Sequence, residues 1–553
     1  MPFHKYKAFK PIALKDRTWP DQVITKAPRW CSVDLRDGNQ ALIEPMTPDE
    51  KFKMWNLLLD IGFKEIEVGF PAASQTDFDF VRMIIEEGLI PEDVTIQILC
   101  QAREALILKT CEAVKGAKQV IFHLYNSTST LQRKVVFKMS REEVIKLATD
   151  ATQMVKQHTD LLQADGTKVV LEYSPESYTA TEMDFAVEIC DAVMSVWEPT
   201  AENKIILNLP STVEMATPNI YADQLEWFIR NLKARDKAVI SLHTHNDRGT
   251  GVAASEMGLM AGADRIEGTL FGNGERTGNC DVITMAMNMF SQGVDPELYL
   301  SEMPKIVAVS EECTKIPIHI RQPYAGELVF TAFSGSHQDA IKKGMALVDK
   351  GGEGMWEVPY LPIDPMDVGG SYRETVRVNS QSGKGGIAFI LEEYFGVSLP
   401  RSLLLEFSPI IQKISEADGG ELKPDLIWKT FVSEFVDVSG PYKLVDYKIR
   451  SSSDRLEQCK ANIKVAENEM EVHGEGSGPI DAFIAGLVET LNEPLNVFDY
   501  QEYSLNEGSE AQAICILAIT DDKSNKSYGV GISQNTTTAA FEAIVAAINR
   551  KWQ

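Results

Sequence analysis

From about residue 30, short apolar runs rich in β-branched residues alternate with longer stretches whose apolar positions recur at helical spacing. The strand-like runs are Cys31–Leu35, Glu65–Val68, Val94–Leu99, Gln119–Leu124, Lys168–Leu171, Lys204–Leu209, Ala238–Leu242 and Asp264–Gly268. Between them lie segments with one apolar face, among them Pro48–Asp60, Arg141–His158, Thr181–Val196 and Ala222–Leu232. The first opens with Thr47-Pro48-Asp49-Glu50, a helix cap followed by proline at the first helical position. Eight βα units over about 260 residues have the size and order of a (β/α)₈ TIM barrel. An open, doubly wound sheet is the alternative, because periodicity does not show closure.

After about residue 300 the rhythm stops. Pro317, Pro323, Gly351-Gly352, Pro359, Pro362, Pro365 and Gly369-Gly370 punctuate the next stretch, and helical spacing returns over Ser402–Glu416 and Lys423–Phe435. Beyond Gly440-Pro441 the texture changes again. Strand-like Tyr442–Ile449 and Ala461–Val465, a Gly-rich turn at Gly474-Glu475-Gly476 and a helix over Asp481–Leu491 are followed by a similar series: Val497–Ser504, Ala511–Thr520, Gly529-Val530-Gly531 and Thr537–Asn549. This weak two-fold repeat predicts an α+β domain. The expected layout is an N-terminal extension (1–30), a catalytic barrel (31–305), helical connector subdomains (306–440) and a C-terminal α+β domain (441–553).

The 553 residues carry 80 acidic and 54 basic side chains, a formal charge of −26, with 44% hydrophobic residues. That balance disfavours nucleic acid and anionic membrane surfaces as partners and points to a small-molecule substrate. Eight scattered cysteines form no Cys-x-x-Cys pair and read as reduced core thiols. With no targeting pattern at the start and no apolar run of membrane-spanning length, the expected location is the cytoplasm.

In a barrel of this kind the chemistry gathers at the C-terminal ends of the strands. The first strand runs into Asp34-Leu35-Arg36-Asp37-Gly38-Asn39-Gln40, the seventh into His243-Thr244-His245-Asn246-Asp247, and the eighth is followed by Gly272-Asn273-Gly274-Glu275-Arg276-Thr277-Gly278-Asn279. Residues i and i+2 of an extended chain face one side, so both imidazoles are aimed at one point. Closure places strand 8 between strands 7 and 1, and Asp37, His243, His245 and Asn279 then converge as a mixed N/O set for a divalent ion: zinc, manganese or magnesium. Gly272-x-Gly274-x-x-x-Gly278 has the wrong spacing and context for a dinucleotide fingerprint, and Gly383-Lys384-Gly385 lacks the rest of a P-loop, so neither NAD nor ATP is expected.

These three segments resemble the barrel family of acyl-CoA condensing enzymes that includes the α-isopropylmalate, homocitrate and citramalate synthases. Gly-Asn-Gly-Glu-Arg is similar to the synthases rather than to the related hydroxymethylglutaryl-CoA lyases. Phe333-Ser334-Gly335-Ser336-His337-Gln338-Asp339-Ala340, Trp356-Glu357-Val358-Pro359-Tyr360-Leu361-Pro362 and the tail resemble the longer α-isopropylmalate synthases. The resemblance implies condensation of acetyl-CoA with 2-oxoisovalerate to give 2-isopropylmalate and CoA. Pyruvate or 2-oxoglutarate as the 2-oxo acid is the alternative, and a metabolite sensor on a degenerate barrel is the reading from another class. The resemblance further implies that Arg36 faces the developing alkoxide, that Glu176 and Thr212 line the keto-acid pocket, and that His337 and Tyr360 serve proton transfer or water activation in a homodimer partner's site. It also implies potassium as an activator and leucine as a feedback effector; the Gly-x-Gly turns at 474–476 and 529–531, whose backbone N–H groups would let an amino-acid carboxylate approach closely, place Gly476 and Gly531 at the regulatory pocket.

Overall fold

The computed structural model describes all residues except 1–2, 6, 349–353, 373–376, 379–383, 419–420, 452–455, 467, 506–510, 523–524 and 552–553. Gly351, Gly352 and Gly383 therefore lie outside the described residues. The chain divides into two compact units: 1–329 with 366–370, and 330–365 with 371–553.

The first unit is a closed, all-parallel eight-stranded barrel. Its strands are β1 (Arg29–Ser32), β2 (Glu65–Gly69), β3 (Thr95–Gln101), β4 (Gln119–Ser127), β5 (Lys168–Glu176), β6 (Ile205–Ser211), β7 (Ala238–Thr244) and β8 (Arg265–Gly268). β1 closes on β8 with Cys31 opposite Glu267. The helices that follow the strands are α1 (Pro48–Ile61), α2 (Gln75–Glu86), α3 (Glu104–Ala113), α4 (Arg141–Ala164), α5 (Met183–Trp197), α6 (Pro218–Asn231), α7 (Gly251–Met260) and α8 (Val282–Phe290), with α9 (Met303–Thr314) after them. Thr47 caps α1 in a reciprocal box with Glu50, and Pro48 sits where its missing N–H goes unneeded. One expectation is corrected: the first strand stops at Ser32, and Asp34–Gly38 turn in a π-helical loop. Asp34 and Leu35 thus join Arg36 and Asp37 in the turn instead of extending the strand.

Alternate strand residues face the barrel axis and fill it in layers. Ile121, Ile206 and Val239 form an apolar floor with Val170. Two residues further along, the interior is polar: His123, Glu172, Asn208 and Ser241 are all buried, joined by Glu67, Gln97, Arg265 and Glu267.

In the second unit α10 (Gly335–Met345), α11 (Lys384–Phe395), α12 (Arg401–Asp418) and α13 (Pro424–Phe431) precede two three-stranded antiparallel sheets. The sheets are β9 (Tyr442–Arg450), β10 (Glu457–Val465) and β11 (Asn468–Gly476), followed by α14 (Pro479–Leu491), and β12 (Asn496–Ser504), β13 (Ala513–Thr520) and β14 (Lys526–Ser533), followed by α15 (Thr536–Lys551). β13 is buried on both faces. Ile514, Ile516 and Ala518 pack with Phe407, Phe431 and Phe435 of the preceding helical region, while Cys515, Leu517 and Ile519 pack with Phe483 and Phe541 of α14 and α15. The Gly-x-Gly segments expected to be turns are instead strand ends and interiors, Gly476 opposite Glu457 and Gly531 opposite Cys515. Their missing side chains admit the helices. A Cβ on Gly531 would stand 1.9 Å from the Ala539 carbonyl oxygen, and one on Gly476 2.4 Å from the Ala482 nitrogen.

Overpacking of this kind costs about 1–3 kcal/mol or more. Gly476→Ala and Gly531→Ala should therefore lower the melting temperature measured by calorimetry, whereas Gly478→Ala, with open space around it, should leave it unchanged.

Candidate functional site

A cavity of about 280 Å³ opens at the C-terminal end of the barrel. Its wall follows the strand period: His123 and Tyr125, Ser174 and Glu176, Asn208, Pro210 and Thr212, and His243 and His245 are successive inward positions on β4–β7 and their exits. Arg36 and Asp37 enter from the turn after β1, and Glu275 and Arg276 from the loop after β8.

At its base Asp37, His243 and His245 each offer a ligand atom, all within 4.8 Å of one another. Asp37 Oδ2 lies 3.2 Å from His243 Nε2, 3.8 Å from His245 Nε2 and 2.8 Å from Asn279 Nδ2. Asn279 arrives because the loop after β8 folds back on itself to bridge His245. That fold needs its glycines: Gly272 and Gly278 have φ of 74° and 100°, and a Cβ on Gly274 would come within 2.7 Å of the Asn279 side chain. The donor set fits a divalent ion. It combines one carboxylate and two imidazoles with an amide oxygen, Asn279 Oδ1, that is buried without a partner, as is His245 Nδ1. Behind the site, Glu267 Oε2 stands 2.8 Å from His243 Nδ1 and leaves Nε2 turned to the site, the carboxylate–imidazole arrangement that orients metal-binding histidines.

The electrostatics follow from burial and charge. Burial disfavours a charged His243, but hydrogen bonds to Asp37 and Glu267 outweigh it and push the imidazole up to about 9. For His245, burial and then the His243 charge act together, pulling it down to about 4. Burial would raise Asp37, yet Arg36 above all, and then the imidazoles, hold its carboxyl well below the usual range. The Arg36 guanidinium, 3.0 Å from Asp37, also donates from Nε to Glu67, and these carboxylates outweigh its burial to keep it charged. Deeper in the barrel, burial and then the Glu267 charge push the Glu172 carboxyl well above the usual carboxylate range.

Glu176 is the last residue of β5 rather than part of a helix start, and it accepts from Ser127 Oγ. Thr212 directly follows β6, its Oγ1 accepting from Ser177 N at 2.9 Å. His337 and Tyr360 belong to the second unit, where their rings stack at 4.0 Å and Tyr360 is 60% exposed with φ of 67°. Sequence analysis missed Glu67, His123, Ser174, Asn208 and Glu267. The available signal was charge inside strand runs, Glu65-Ile66-Glu67-Val68 and Arg265-Ile266-Glu267-Gly268, where an alternating barrel position carries a carboxylate.

Three family descriptions match successive stretches: HMGL-like over residues 27–309, "Alpha-isopropylmalate synthase, post-catalytic domain-like" over 327–392, and "LeuA allosteric (dimerisation) domain" over 421–552. The chain is 54% identical to 2-isopropylmalate synthase of Rhodospirillum rubrum, over 99% of this chain and 98% of that one. It is likewise 54% identical to the 2-isopropylmalate synthases of Clostridium acetobutylicum (100% and 99% covered) and Rhizobium meliloti (99% and 98%). Among the described residues no helix is long and apolar enough to cross a membrane.

His243→Ala should lower the divalent metal bound per chain, read by elemental analysis; unchanged stoichiometry would remove His243 from the ligand set. Stripping the metal with a chelator gives a pH test. A folded value raised from the ordinary 6.5 to about 9 contributes stability that is complete below pH 6.5 and lost as pH rises through 9. The melting temperature of stripped protein should fall across that window, and the fall should shrink in His243→Ala.

Proposed function

The chain belongs to the 2-isopropylmalate synthase family, and from that premise we propose that it condenses acetyl-CoA with 2-oxoisovalerate and hydrolyses the resulting thioester to 2-isopropylmalate and CoA. The observation that carries this reading is one cavity holding the Asp37–His243–His245 ligand set, the buried Arg36 and an apolar wall of Phe70, Leu99, Tyr125 and Pro210. That wall suits a branched aliphatic tail better than the second carboxylate of 2-oxoglutarate. A divalent ion, whether zinc, manganese or magnesium, would supply a Lewis acid for the keto carbonyl.

The chain's own residues do the rest. Arg36 is pinned by Glu67 and Asp37 and cannot swing away, so its charge stands fixed where the alkoxide grows. Thr212 Oγ1, already accepting from Ser177 N, keeps its proton to donate to the substrate carboxylate. Glu176 and Ser174 face the same space as His123, whose two ring nitrogens are taken by Glu67 and Ser174. His337 and Tyr360 are assigned proton transfer and water activation at the site of a second subunit. Several apolar side chains stand exposed in the segments that follow the strands' C-terminal ends, including Ile43 and, in the short helical turns after β4, Leu131, Val135 and Val136, which favours a covered mouth in a homodimer. Eight free cysteines suit a reducing cytoplasm.

Feedback by leucine is assigned to the C-terminal sheets and helices. Gly476 and Gly531 are packed against helix backbone, so leucine titration of the intact chain, rather than bulk at these glycines, is the direct test of the effector.

Thiol release from acetyl-CoA, followed with each 2-oxo acid in turn, should be fastest with 2-oxoisovalerate; preference for pyruvate or 2-oxoglutarate would overturn the substrate assignment. Arg36→Ala should lower kcat by about 10²–10³ and, because it leaves the buried Glu67 and Asp37 without their partner, should also lower the melting temperature. Verified heterodimers of Arg36→Ala and His337→Ala chains should regain activity if the sites are shared, and stay inactive if each chain works alone.

A further inference from the structure

The Gly-Asn-Gly-Glu-Arg loop delivers Asn279, yet its arginine has no part in holding a metal. Arg276 lines the cavity with φ of 55°, a conformation that L-residues adopt only when their surroundings impose it. Its guanidinium faces Asp247 side-on, Nε to Oδ1 at 2.7 Å and Nη2 to Oδ2 at 3.1 Å, and Nη2 also donates to the Thr212 carbonyl. Asp247 Oδ2 in turn accepts from Glu214 N at 3.0 Å. The buried Glu214 carboxylate then accepts from Arg248 N and Thr250 Oγ1. Three loops, after β6, β7 and β8, are thereby tied into one rim, and both sides of the Thr212–Glu214 segment are held by it.

Nothing apolar could do this holding. Val213 and Met215 are each 43% exposed, so the segment that carries Thr212 has little packing of its own and depends on polar ties. The fork of an arginine can bond two carboxylate oxygens and a carbonyl in one plane; a lysine, with a single ammonium centre, cannot hold that geometry.

We propose that Asp247 and Arg276 are positioning residues for the 2-oxo acid: a clamp across three barrel loops that fixes the Thr212 backbone and so aims its hydroxyl at the substrate carboxylate. The proposal rests on the placement of the 2-oxo acid at Thr212 in the reading above. It separates the motif's two ends by task, Asn279 toward the metal and Arg276 toward the substrate.

The test is steady-state kinetics of the intact enzyme with elemental analysis. Misplacing a binding group by about 1 Å can cost up to 10²-fold, so Arg276→Ala and Asp247→Asn should each raise KM for 2-oxoisovalerate about tenfold or more. KM for acetyl-CoA and the metal content should stay at wild-type values. Because the clamp acts through Thr212, adding Arg276→Ala to Thr212→Val should cost nothing beyond Thr212→Val alone. Losses that multiply, a keto-acid KM that does not move in Arg276→Ala, or a fall in metal content would each overturn the clamp. If Thr212→Val itself leaves the keto-acid KM unchanged, the substrate placement falls and the proposal with it; an impaired Thr212→Val beside a normal Arg276→Ala overturns the clamp alone. Should Arg276→Ala fail to fold, Arg276→Lys, which keeps the charge and loses the fork, carries the same expectations and the same refutations.

Discussion

A guanidinium sealed inside a β-barrel must have carboxylates around it, and much of the site is organised by that requirement. Arg265 is fully buried on β8. It donates to Glu65 at 2.5 Å, Glu267 at 2.7 Å, Gln97 at 2.6 Å and Ser241 at 2.8 Å, with Glu172 3.4 Å away. Removing one partner of such a group leaves uncompensated charge in the interior, at a cost of about 3–5 kcal/mol. Glu267 is the member that reaches both ways: one oxygen answers Arg265, and the other holds His243 Nδ1. Charge neutrality in the core and the orientation of a metal-binding imidazole are therefore one problem with one solution.

The same layering sets the chemistry above it. An apolar floor excludes water from below, a polar layer fixes the acids and bases, and loops close the top. Several strained residues fall in those loops, with positive φ at Ser177, Phe271 and Arg276 next to residues that line or supply the cavity. Strain of this kind persists only where hydrogen bonds over-determine the conformation, and the bonds around Thr212, Asp247 and Glu214 do so.

In the second unit the organising fact is β13. Its alternating residues serve two cores at once, one shared with the helices before residue 440 and one with α14 and α15. An effector that binds the sheets unequally in two states would act on those helices through a shared core, which is the physical condition for regulation at a distance.

The chain's own pattern determined the eight βα units, the capped start of α1 and the three segments that carry Asp37, His243, His245, Asn279 and Arg36, because period, capping and strand-end position are local properties. The structure corrected that local reading where tertiary contacts prevail. Asp34–Gly38 turn instead of extending β1, and the Gly-x-Gly segments run as strands because helix backbone lies where side chains would otherwise be. Closure of the barrel, Glu67 against Arg36, Glu267 against His243 and Arg276 against Asp247 join residues 24–236 apart in sequence. No local signal encodes such pairs: a carboxylate in a strand shows that a partner is needed, and only the closed barrel decides which one it meets.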